Sequence, residues 1–416
     1  MKRTRNHNLI FISTLLYFVG SYISETLVGG QLILVLAVVL MAFTVISRTG
    51  GKIRVKNNGF LVYILVFLLF CMASRLWADD PSLSVSKING LIFIFIGMTF
   101  IHFAYLGHTS VDELLKCIMY GGYIVVIYAF FRYGIGGIIR LAANDTRITN
   151  ELFNANTIGM CAAYALVINI YFIFYEHFKV LDLLMIPASV LLIVSQSRKA
   201  IIIVVMGVAG IYIFRNINNK KFGTSFLKLI IGLLLLVAIF VVISRFSFMQ
   251  TNVKRLNEIM EMLVGTGKRS NNSAWIRFAY IDLGIDLFKS HPFLGIGIGN
   301  ANIYTQMYYH HNHYLHNNYI ELLACGGLIG FLIYYSMHLY LLANYIKYRQ
   351  YRDKEYDICL VLLILNLIVD YGVVSYYDKA NYLFLFMFWL KIKAMREQYG
   401  TNTKRILKLH NKEVLP

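Results

Sequence analysis

The chain is poor in charged residues, and this scarcity excludes an ordinary soluble domain. Only 14% of its 416 residues are Asp, Glu, Lys or Arg, whereas 58% are hydrophobic, and the mean hydropathy is +0.62. In soluble globular domains about a quarter of the residues are charged. A sequence this apolar needs lipid around much of its surface, so the composition predicts a protein that crosses a membrane many times.

Acidic residues are scarcer than basic residues. The chain has 21 Asp and Glu against 39 Lys and Arg, which gives a formal net charge of +18. An excess of this size can indicate a nucleic-acid partner. Here the basic residues stand mostly in short runs between apolar segments, which is the pattern that the positive-inside rule produces in membrane proteins. We therefore predict no nucleic-acid partner.

Cysteines are few and widely separated. The five cysteines are Cys71, Cys117, Cys161, Cys325 and Cys359. They lie in apolar stretches without CxxC spacing, so neither a disulfide framework nor a zinc site is predicted, and we interpret them as small core residues. The sequence also lacks an internal repeat of about 20 to 50 residues and paired Gly/Pro-broken helices in two halves, which argues against an inverted-repeat transporter.

Long apolar runs fill most of the chain. A bilayer core needs about 20 helical residues per span, and this measure predicts an all-α fold, a polytopic membrane protein with about 12 transmembrane helices. The basic segment MKRTRNHN is followed by no small-residue cleavage site, so the first run is interpreted as a retained anchor. The predicted spans lie near residues 9–24, 27–47, 59–74, 88–106, 114–132, 157–175, 180–196, 200–215, 226–244, 319–346, 358–374 and 380–394.

The charges of the loops predict the orientation. With a cytoplasmic N-terminus, the strongest basic runs, RTGGKIRVK, RNINNKKFG and IKYRQYRDK, all lie inside together with the C-terminal tail. The one long polar segment then lies outside. The chain is accordingly divided into an N-terminal transmembrane bundle (1–243), an extracytoplasmic loop that contains short helices (244–318), C-terminal transmembrane helices (319–396) and a basic cytoplasmic tail (397–416).

The polar segment ends in HHNHYLHNNYIELLACGGLIG, which carries His310, His311, His313 and His316 within seven residues. A metal site is one interpretation, but the HExxH spacing is absent and no Cys or Asp cluster completes a ligand set, so we predict no metal. His310 and His311 are interpreted as incidental members of an interfacial loop. His316 differs because it opens an apolar helix, where a neutral imidazole can act as a general base toward a hydroxyl.

Two arginines complete a candidate constellation. Arg277 lies in SAWIRFAYIDLGIDLFK, an amphipathic helix that offers it no carboxylate three or four residues later. The apolar face of this helix is formed by Ile276, Tyr280, Leu283 and Leu287. Arg198 stands at the tip between two apolar runs, on the same predicted face of the membrane. A guanidinium there suits a lipid-linked pyrophosphate, which it can bind through two oxygens and stabilise as a leaving group. For Lys199, snorkelling to lipid headgroups is an equally open interpretation.

Gly295, Gly297 and Gly299, in HPFLGIGIGN, superficially match a dinucleotide-binding fingerprint. They follow Pro292 rather than a strand, and no βαβ unit surrounds them, so we predict no cofactor. The preferred interpretation is a turn whose glycines bring the backbone close to a neighbouring segment.

Together these segments resemble the O-antigen ligase and Wzy polymerase family, polytopic enzymes that transfer glycans from undecaprenyl pyrophosphate. The family pattern is a Ser-Arg pair at the end of a span, an arginine in an amphipathic loop helix, a glycine-rich turn, and an HN pair before a glycine-broken helix. In this sequence the pattern falls on Ser197 with Arg198, on Arg277, on Pro292 through Asn300, and on His316 with Asn317. The specific resemblance extends from residue 197 to residue 330.

A second HN pair, His311 with Asn312, leaves two candidates for the histidine, and we choose His316 because YIELLACGGLIG follows it at the family's spacing. The resemblance implies a metal-independent glycosyl transfer, without a cofactor, at the outer face of the cytoplasmic membrane. By this analogy Arg198 and Arg277 hold the donor pyrophosphate, and His316 positions or deprotonates the acceptor hydroxyl. The predicted substrate-binding set is completed by Asn317, His313 and Tyr319.

The expected activity is that of a polysaccharide polymerase for O-antigen, capsule or exopolysaccharide, which passes undecaprenyl-pyrophosphate-linked glycan to another lipid-linked repeat unit. A ligase that passes the glycan to lipid A core or to a protein shares the pattern and stays an open alternative. A transporter of lipid-linked sugars would need ionisable groups in mid-span, whereas Glu25, His102 and Asp370 lie mostly near span ends. The expected partners are the lipid-linked oligosaccharide, membrane lipid, and a chain-length regulator and flippase of the same pathway.

Overall fold

The computed structural model describes residues 2–23, 28–50, 58–143, 155–216, 223–224, 227–228, 230–232 and 273–413. Within these ranges the chain forms helices joined by turns and short loops, with no strand, so the predicted all-α fold class is confirmed. The helices are α1 (Lys2–Ile23), α2 (Val28–Thr49), α3 (Gly59–Ala73), α4 (Pro81–Ala104), α5 (Asp112–Ala143), α6 (Ala155–Tyr175), α7 (Val180–Gln196), α8 (Arg198–Asn216), α9 (Ser273–Ser290), α10 (Ala301–Tyr309), α11 (Asn318–Lys347), α12 (Lys354–Val369) and α13 (Lys379–Glu413).

Seven of the described helices are long and apolar enough to cross a bilayer, which supports a multi-pass membrane protein. They are α2 to α6, α8 and α11, and two shorter apolar helices lie at His7–Ile23 and Val180–Val194. The described part of the chain therefore does not reach the predicted number of about twelve spans. The predicted span at 226–244 lies mainly outside the described residues. Helix α12 has only 16 residues because it ends at Val369, with Asp370 as its C-cap, before the predicted end of the span at residue 374.

Helix α2 shows how these helices meet lipid. Its exposed large side chains, Leu32, Leu36, Val39 and Phe43, are spaced three or four residues apart and so share one face. Ala37, Met41 and Val45, on the opposite face, are buried. An apolar stripe left open on a helix of this length is stable in hydrocarbon and unfavourable in water.

Helix α6 lies at the centre of the bundle. It packs against α5, α7 and α8, and most residues of its apolar stretch, Asn156–Tyr175, are buried inside the protein. Small residues make this possible, because Ala162, Ala163 and Ala165 let neighbouring backbones approach closely. Helix α12 packs against α8 and α13, and α9 packs against α11. The bundle thus brings the start of α8, the end of α12 and the start of α11 together.

Helix α11 is a hairpin rather than one straight rod. Its backbone leaves the helical conformation at Gly327 (φ 61°, ψ −168°). The Asn318 side chain hydrogen-bonds to the Tyr335 hydroxyl at 2.9 Å although the residues are 17 positions apart, a separation of about 25 Å in a continuous helix. The chain therefore reverses at Gly327. The first arm, residues 318–326, lies beside the second arm, residues 328–347, which remains long enough to span.

The glycine-rich turn supplies the hydrogen bonds that the reversal removes. The amides of Ile296 and Gly297 donate to the carbonyls of Ala324 and Cys325, both at 3.0 Å. In return, the Leu328 amide donates to the Pro292 carbonyl at 2.8 Å. Exchange of this kind keeps a broken helix stable at membrane depth, where each unpaired backbone group is costly.

Two glycines permit this contact. Gly295 (φ +67°) and Gly327 (φ +61°) have backbone conformations that L side chains rarely adopt. A Cβ on Gly295 would lie 2.4 Å from the Cys325 carbonyl carbon, and one on Gly327 would lie 2.4 Å from that of Phe293. The predicted close approach of the turn to a neighbouring segment is confirmed, and the neighbour is the break in α11.

The orientation stays a prediction, and the structure supplies a direct test. All five cysteines are buried and free, so an introduced surface cysteine is expected to be the main reactive thiol. Ser290 and Gln350 are exposed and flank opposite ends of the second arm of α11. In intact cells, a membrane-impermeable thiol reagent is expected to label Ser290→Cys but to label Gln350→Cys only after lysis. Labelling of both before lysis would contradict the predicted topology.

Candidate active site

His316 lies just before α11 in a backbone conformation that non-glycine residues rarely adopt. Its φ is 57°, and among the described residues only His310 shares a positive φ without being glycine. His310 has an ordinary reason for it, because it is the left-handed cap that ends α10. His316 ends no helix. Left-handed backbone in such residues is uncommon and tends to occur at functional sites, where the surrounding structure holds it.

Hydrogen bonds on both sides hold the loop that carries His316. The buried Glu321 carboxylate accepts from the Leu315 amide at 2.7 Å. The Thr305 hydroxyl donates to the His313 carbonyl at 2.6 Å. After the histidine, the Asn317 Oδ1 accepts from the amides of Tyr319 and Ile320 at 3.0 and 3.2 Å. Asn317 is therefore the N-cap of α11.

Aromatic rings enclose His316. The Tyr280 ring lies parallel to the imidazole, with centroids 6.1 Å apart and an interplanar angle of 4°. The Tyr314 ring is closer, at 4.3 Å. Tyr280 is fully buried, as the apolar face predicted for α9 requires, and Leu283 and Leu287 on the same face are buried too. Asp282 and Asp286 on the opposite face are exposed.

His316 and Arg277 face one small cavity. The cavity has a volume of about 190 Å³ and is lined by Ile276, Arg277, Tyr280, His311, His313 and His316. Helix α9 places Arg277 there because position 277 precedes the buried Tyr280 by almost one turn. The cavity brings together three predicted site residues, Arg277, His313 and His316. It also includes His311, which the sequence alone indicated to be incidental.

The surroundings of His316 keep its imidazole neutral. Burial is the main cause, and the positive charges of Arg277 and Lys199 and the nearby His313 add to it, so that the pKa of His316 is lowered from 6.5 to about 3. Each of these influences disfavours the imidazolium form. Near pH 7 the ring therefore has one nitrogen with a free lone pair, which can accept a proton or a hydrogen bond.

Lys199 lies close enough to His316 for its charge to act on the imidazole. Helix α8 begins at Arg198, and the Ser197 hydroxyl accepts from the Ala200 amide at 3.4 Å. The Lys199 ammonium donates to the carbonyl of Gly372, and its charge acts on His316. The contact with Gly372 gives the Lys199 ammonium a partner within the protein. In the sequence, the only indication that Lys199 lies near the site was its position next to Arg198.

Of the other predicted site residues, Arg198, Tyr319 and Asn317, the last two are not among those that line the cavity. The Arg198 side chain lies outside the described part of the structure, although its backbone starts α8. The Tyr319 ring stacks on Tyr335 at 5.0 Å, and its hydroxyl donates to the Leu367 carbonyl at 2.6 Å, so it points away from the cavity. Asn317 is 3% exposed and caps its helix, and its contact with substrate stays a prediction. Among the described residues, no three His, Cys, Asp or Glu side chains are grouped to hold a metal ion.

Residues 183–335 match the family model Wzy_C, described as O-antigen ligase. This part of the chain is similar to that family. It begins within α7 and ends in the second arm of α11, so it contains Lys199, Arg277, the glycine-rich turn and His316. The resemblance to O-antigen ligases and Wzy polymerases is thereby confirmed. No curated protein matches the chain.

Proposed function

We propose that the chain is a membrane glycosyltransferase that moves a glycan from a polyprenyl-pyrophosphate donor to a sugar hydroxyl at the outer face of the cytoplasmic membrane. One observation carries the proposal: a neutral, half-buried histidine and an arginine face the same cavity inside the segment that matches the Wzy_C model. Transfer of this kind needs a proton acceptor for the incoming hydroxyl and positive charge for the departing pyrophosphate. The cavity offers both.

The proposed step follows from these two groups. The acceptor oxygen forms a bond to the anomeric carbon of the donor while its proton passes to a ring nitrogen of His316. The bond from the anomeric carbon to the pyrophosphate oxygen breaks, and that oxygen leaves with the electron pair. Arg277 stabilises the negative charge through paired N–H donors. Arg198 is proposed to share this task, as the family pattern implies.

Donor binding should also strengthen the base. In the free protein, Arg277 and Lys199 help to lower the pKa of His316, which leaves it neutral but weakly basic. A bound pyrophosphate brings negative charge that offsets both cations. The proton affinity of His316 then rises only when the donor is in place. This coupling protects the site from protonation while it is empty and provides a competent base when both substrates are bound.

The acceptor decides between the two activities in this family. We propose a polymerase, in which the acceptor is another lipid-linked repeat unit of O-antigen, capsule or exopolysaccharide. The description of the matching family supports the second candidate, a ligase that transfers the glycan to lipid A core or to a protein. Both share the donor, the base and the arginines, and they differ only in the molecule that supplies the hydroxyl.

An in vitro assay with purified protein tests the proposal. The protein is reconstituted in vesicles with the lipid-linked repeat unit, isolated from a strain that lacks the protein and accumulates it. Longer lipid-linked glycan is the result expected of a polymerase. Transfer only when lipid A core is added would show a ligase. Movement of the lipid-linked glycan across the vesicle membrane without any transfer would overturn the proposal in favour of a transporter.

Arg277→Lys is expected to lose most of the transfer activity although it keeps the positive charge. An ammonium cannot reproduce the paired N–H donors of a guanidinium on two pyrophosphate oxygens, so a loss on the order of 10²-fold is expected, as for removal of a leaving-group donor. Lys289→Gln is the control, because Lys289 is an exposed cation on the same helix and its charge should not matter. Normal-length polymer from Arg277→Lys at wild-type protein levels would remove Arg277 from the mechanism.

A further inference from the structure

The segment at residues 370–378 connects α12 to α13 and lies outside the Wzy_C match. We propose that this loop is a working part of the site, in which it positions His316 through Asn318 and holds Lys199 through Gly372. The inference rests on the proposed function. It adds positioning residues that the matched domain does not contain.

Asn318 joins the catalytic loop to this segment. It follows His316 by two residues, is fully buried, and its amide donates to the Asp370 carbonyl at 2.8 Å. Its side-chain oxygen accepts from the amides of Ser375 and Tyr376 at 2.9 and 3.1 Å. Its side-chain nitrogen donates to Asp370 Oδ2 at 3.3 Å. The side chain and the backbone N–H of Asn318 thus bind both the start of the loop, at Asp370, and its later part, at Ser375 and Tyr376.

Asp370 and Tyr335 close this connection across the hairpin. The Tyr335 hydroxyl accepts from Asn318 and donates to Asp370 Oδ2, both at 2.9 Å. The Ser375 hydroxyl donates to the other carboxylate oxygen of Asp370 at 2.5 Å. The first arm, the second arm and the loop therefore share one buried network. Networks of this kind, in which each polar group has partners, hold a unique geometry.

Lys199 binds the same loop from the other side. Its ammonium donates to the Gly372 carbonyl, and a Cβ on Gly372 would lie 2.9 Å from the Lys199 Cε. The loop thus connects the start of α8, where Arg198 and Lys199 lie, to the start of α11, where His316 lies. A displacement of the loop would move the cation and the base relative to each other.

The left-handed backbone of His316 explains why positioning matters here. A residue with a φ of 57° keeps that conformation only if its neighbours hold it. Glu321 fixes the chain before His316, as described above, and Asn318 fixes it after. Relaxation of this clamp would let the imidazole leave the direction in which it meets the acceptor hydroxyl. Misplacement by about 1 Å can cost on the order of 10²-fold in rate.

Two matched tyrosine substitutions test the inference. Tyr335→Phe removes the hydroxyl that bridges Asn318 and Asp370. Tyr164→Phe removes a hydroxyl that donates to Asn366 at 2.8 Å. Side-chain hydrogen bonds of Asn381 and Tyr334 connect Asn366 to Ser375, so this hydroxyl is several hydrogen bonds removed from Asn318. Both tyrosines are at most 5% exposed, so each substitution removes one buried hydroxyl. We expect kcat to fall about tenfold or more in Tyr335→Phe, with KM for the donor little changed, and to stay near wild type in Tyr164→Phe.

A second pair tests the Lys199 contact. Lys199→Met removes both the donor to Gly372 and the charge, whereas Lys199→Arg keeps a donor and the charge. We expect Lys199→Met to lower kcat and raise KM for the lipid donor, and Lys199→Arg to recover part of both. Equal effects in the two variants, or wild-type kinetics in Lys199→Met, would show that the loop contact plays no part.

The outcomes separate this inference from the proposed function. If Tyr335→Phe and Tyr164→Phe have the same kcat, while Arg277→Lys is inactive, the loop is only structural and the glycosyltransferase proposal stands. If no glycan transfer is found in the wild-type protein, the proposed function itself fails. Thermal unfolding of both tyrosine variants in detergent provides the check on stability. A larger loss of stability in Tyr335→Phe that fully accounts for its lower activity would also count against positioning.

Discussion

Replacement of His316 by alanine is expected to abolish glycan transfer in the purified protein while leaving folding and donor binding almost intact. A general base acts on the acceptor hydroxyl in the transition state, so its loss should lower kcat by about 10² to 10⁴-fold with little change in KM. The donor keeps Arg277 and Lys199. The measurement is the in vitro transfer assay, together with binding of the lipid donor to the detergent-solubilised variant.

The histidines of the same loop provide the control. His310 is exposed and caps α10 with a left-handed backbone, so His310→Asn, which tolerates that conformation, should be close to wild type. His311→Ala should be mild, although His311 lines the cavity, because its side chain is exposed whereas that of His316 is half-buried. A metal site predicts a different result, in which several histidines matter alike and EDTA inhibits. Strong EDTA inhibition that zinc reverses would replace the general-base mechanism.

The pH dependence of the wild-type protein gives a second readout for His316. The base must be unprotonated to act. In the free protein its pKa is lowered to about 3 by burial and by Arg277, Lys199 and His313, so kcat/KM should not fall with pH until strongly acidic conditions. Bound pyrophosphate offsets the cations and raises the pKa, so kcat should begin to fall at a higher pH than kcat/KM. Identical acid limbs in both profiles would contradict the proposed coupling.

Gly327→Ala is expected to prevent correct folding of the part of the protein that carries the candidate site. The added Cβ would lie 2.4 Å from both the carbonyl carbon and the oxygen of Phe293, and backbone atoms cannot move aside as a flexible side chain does. The φ of +61° adds strain of its own. Strain of about 1–3 kcal/mol and overpacking of about 1–3 kcal/mol would together remove much of the stability of a typical domain.

The measurement for Gly327→Ala is the yield of monodisperse protein in mild detergent and its thermal unfolding. Gly90→Ala is the matched control. Gly90 lies within α4 with nothing within 4 Å of its added Cβ, and alanine favours a helix over glycine by about 0.5–1 kcal/mol. The control should be as stable as wild type or slightly more so. Normal yield and stability of Gly327→Ala would mean that the reversal in α11 does not exist as described.

Several features of the site were predictable because they depend on local sequence. The apolar stripe of α9 and the acidic residues opposite it follow from helical periodicity, and both lie where the pattern places them. The glycine-rich turn was correctly predicted to approach a neighbour. The choice of His316 over His311 as the catalytic histidine stays a prediction. The number of spans was less predictable, because hydropathy does not show where a helix ends within an apolar run, as α12 does at Val369.

The sequence by itself indicated a helical chain with several segments apolar enough to cross a membrane and with motifs that resemble the O-antigen ligase and Wzy polymerase family, because composition, periodicity and short motifs are local properties of the chain. Only the tertiary structure decided that α11 reverses at Gly327 and that Asn318 meets Tyr335 and Asp370, which are 17 and 52 positions away. It also decided that Lys199 binds Gly372, 173 positions later. Such contacts depend on how helices pack around one another, and neither residue spacing nor hydropathy encodes that packing in a form that can be read along the chain.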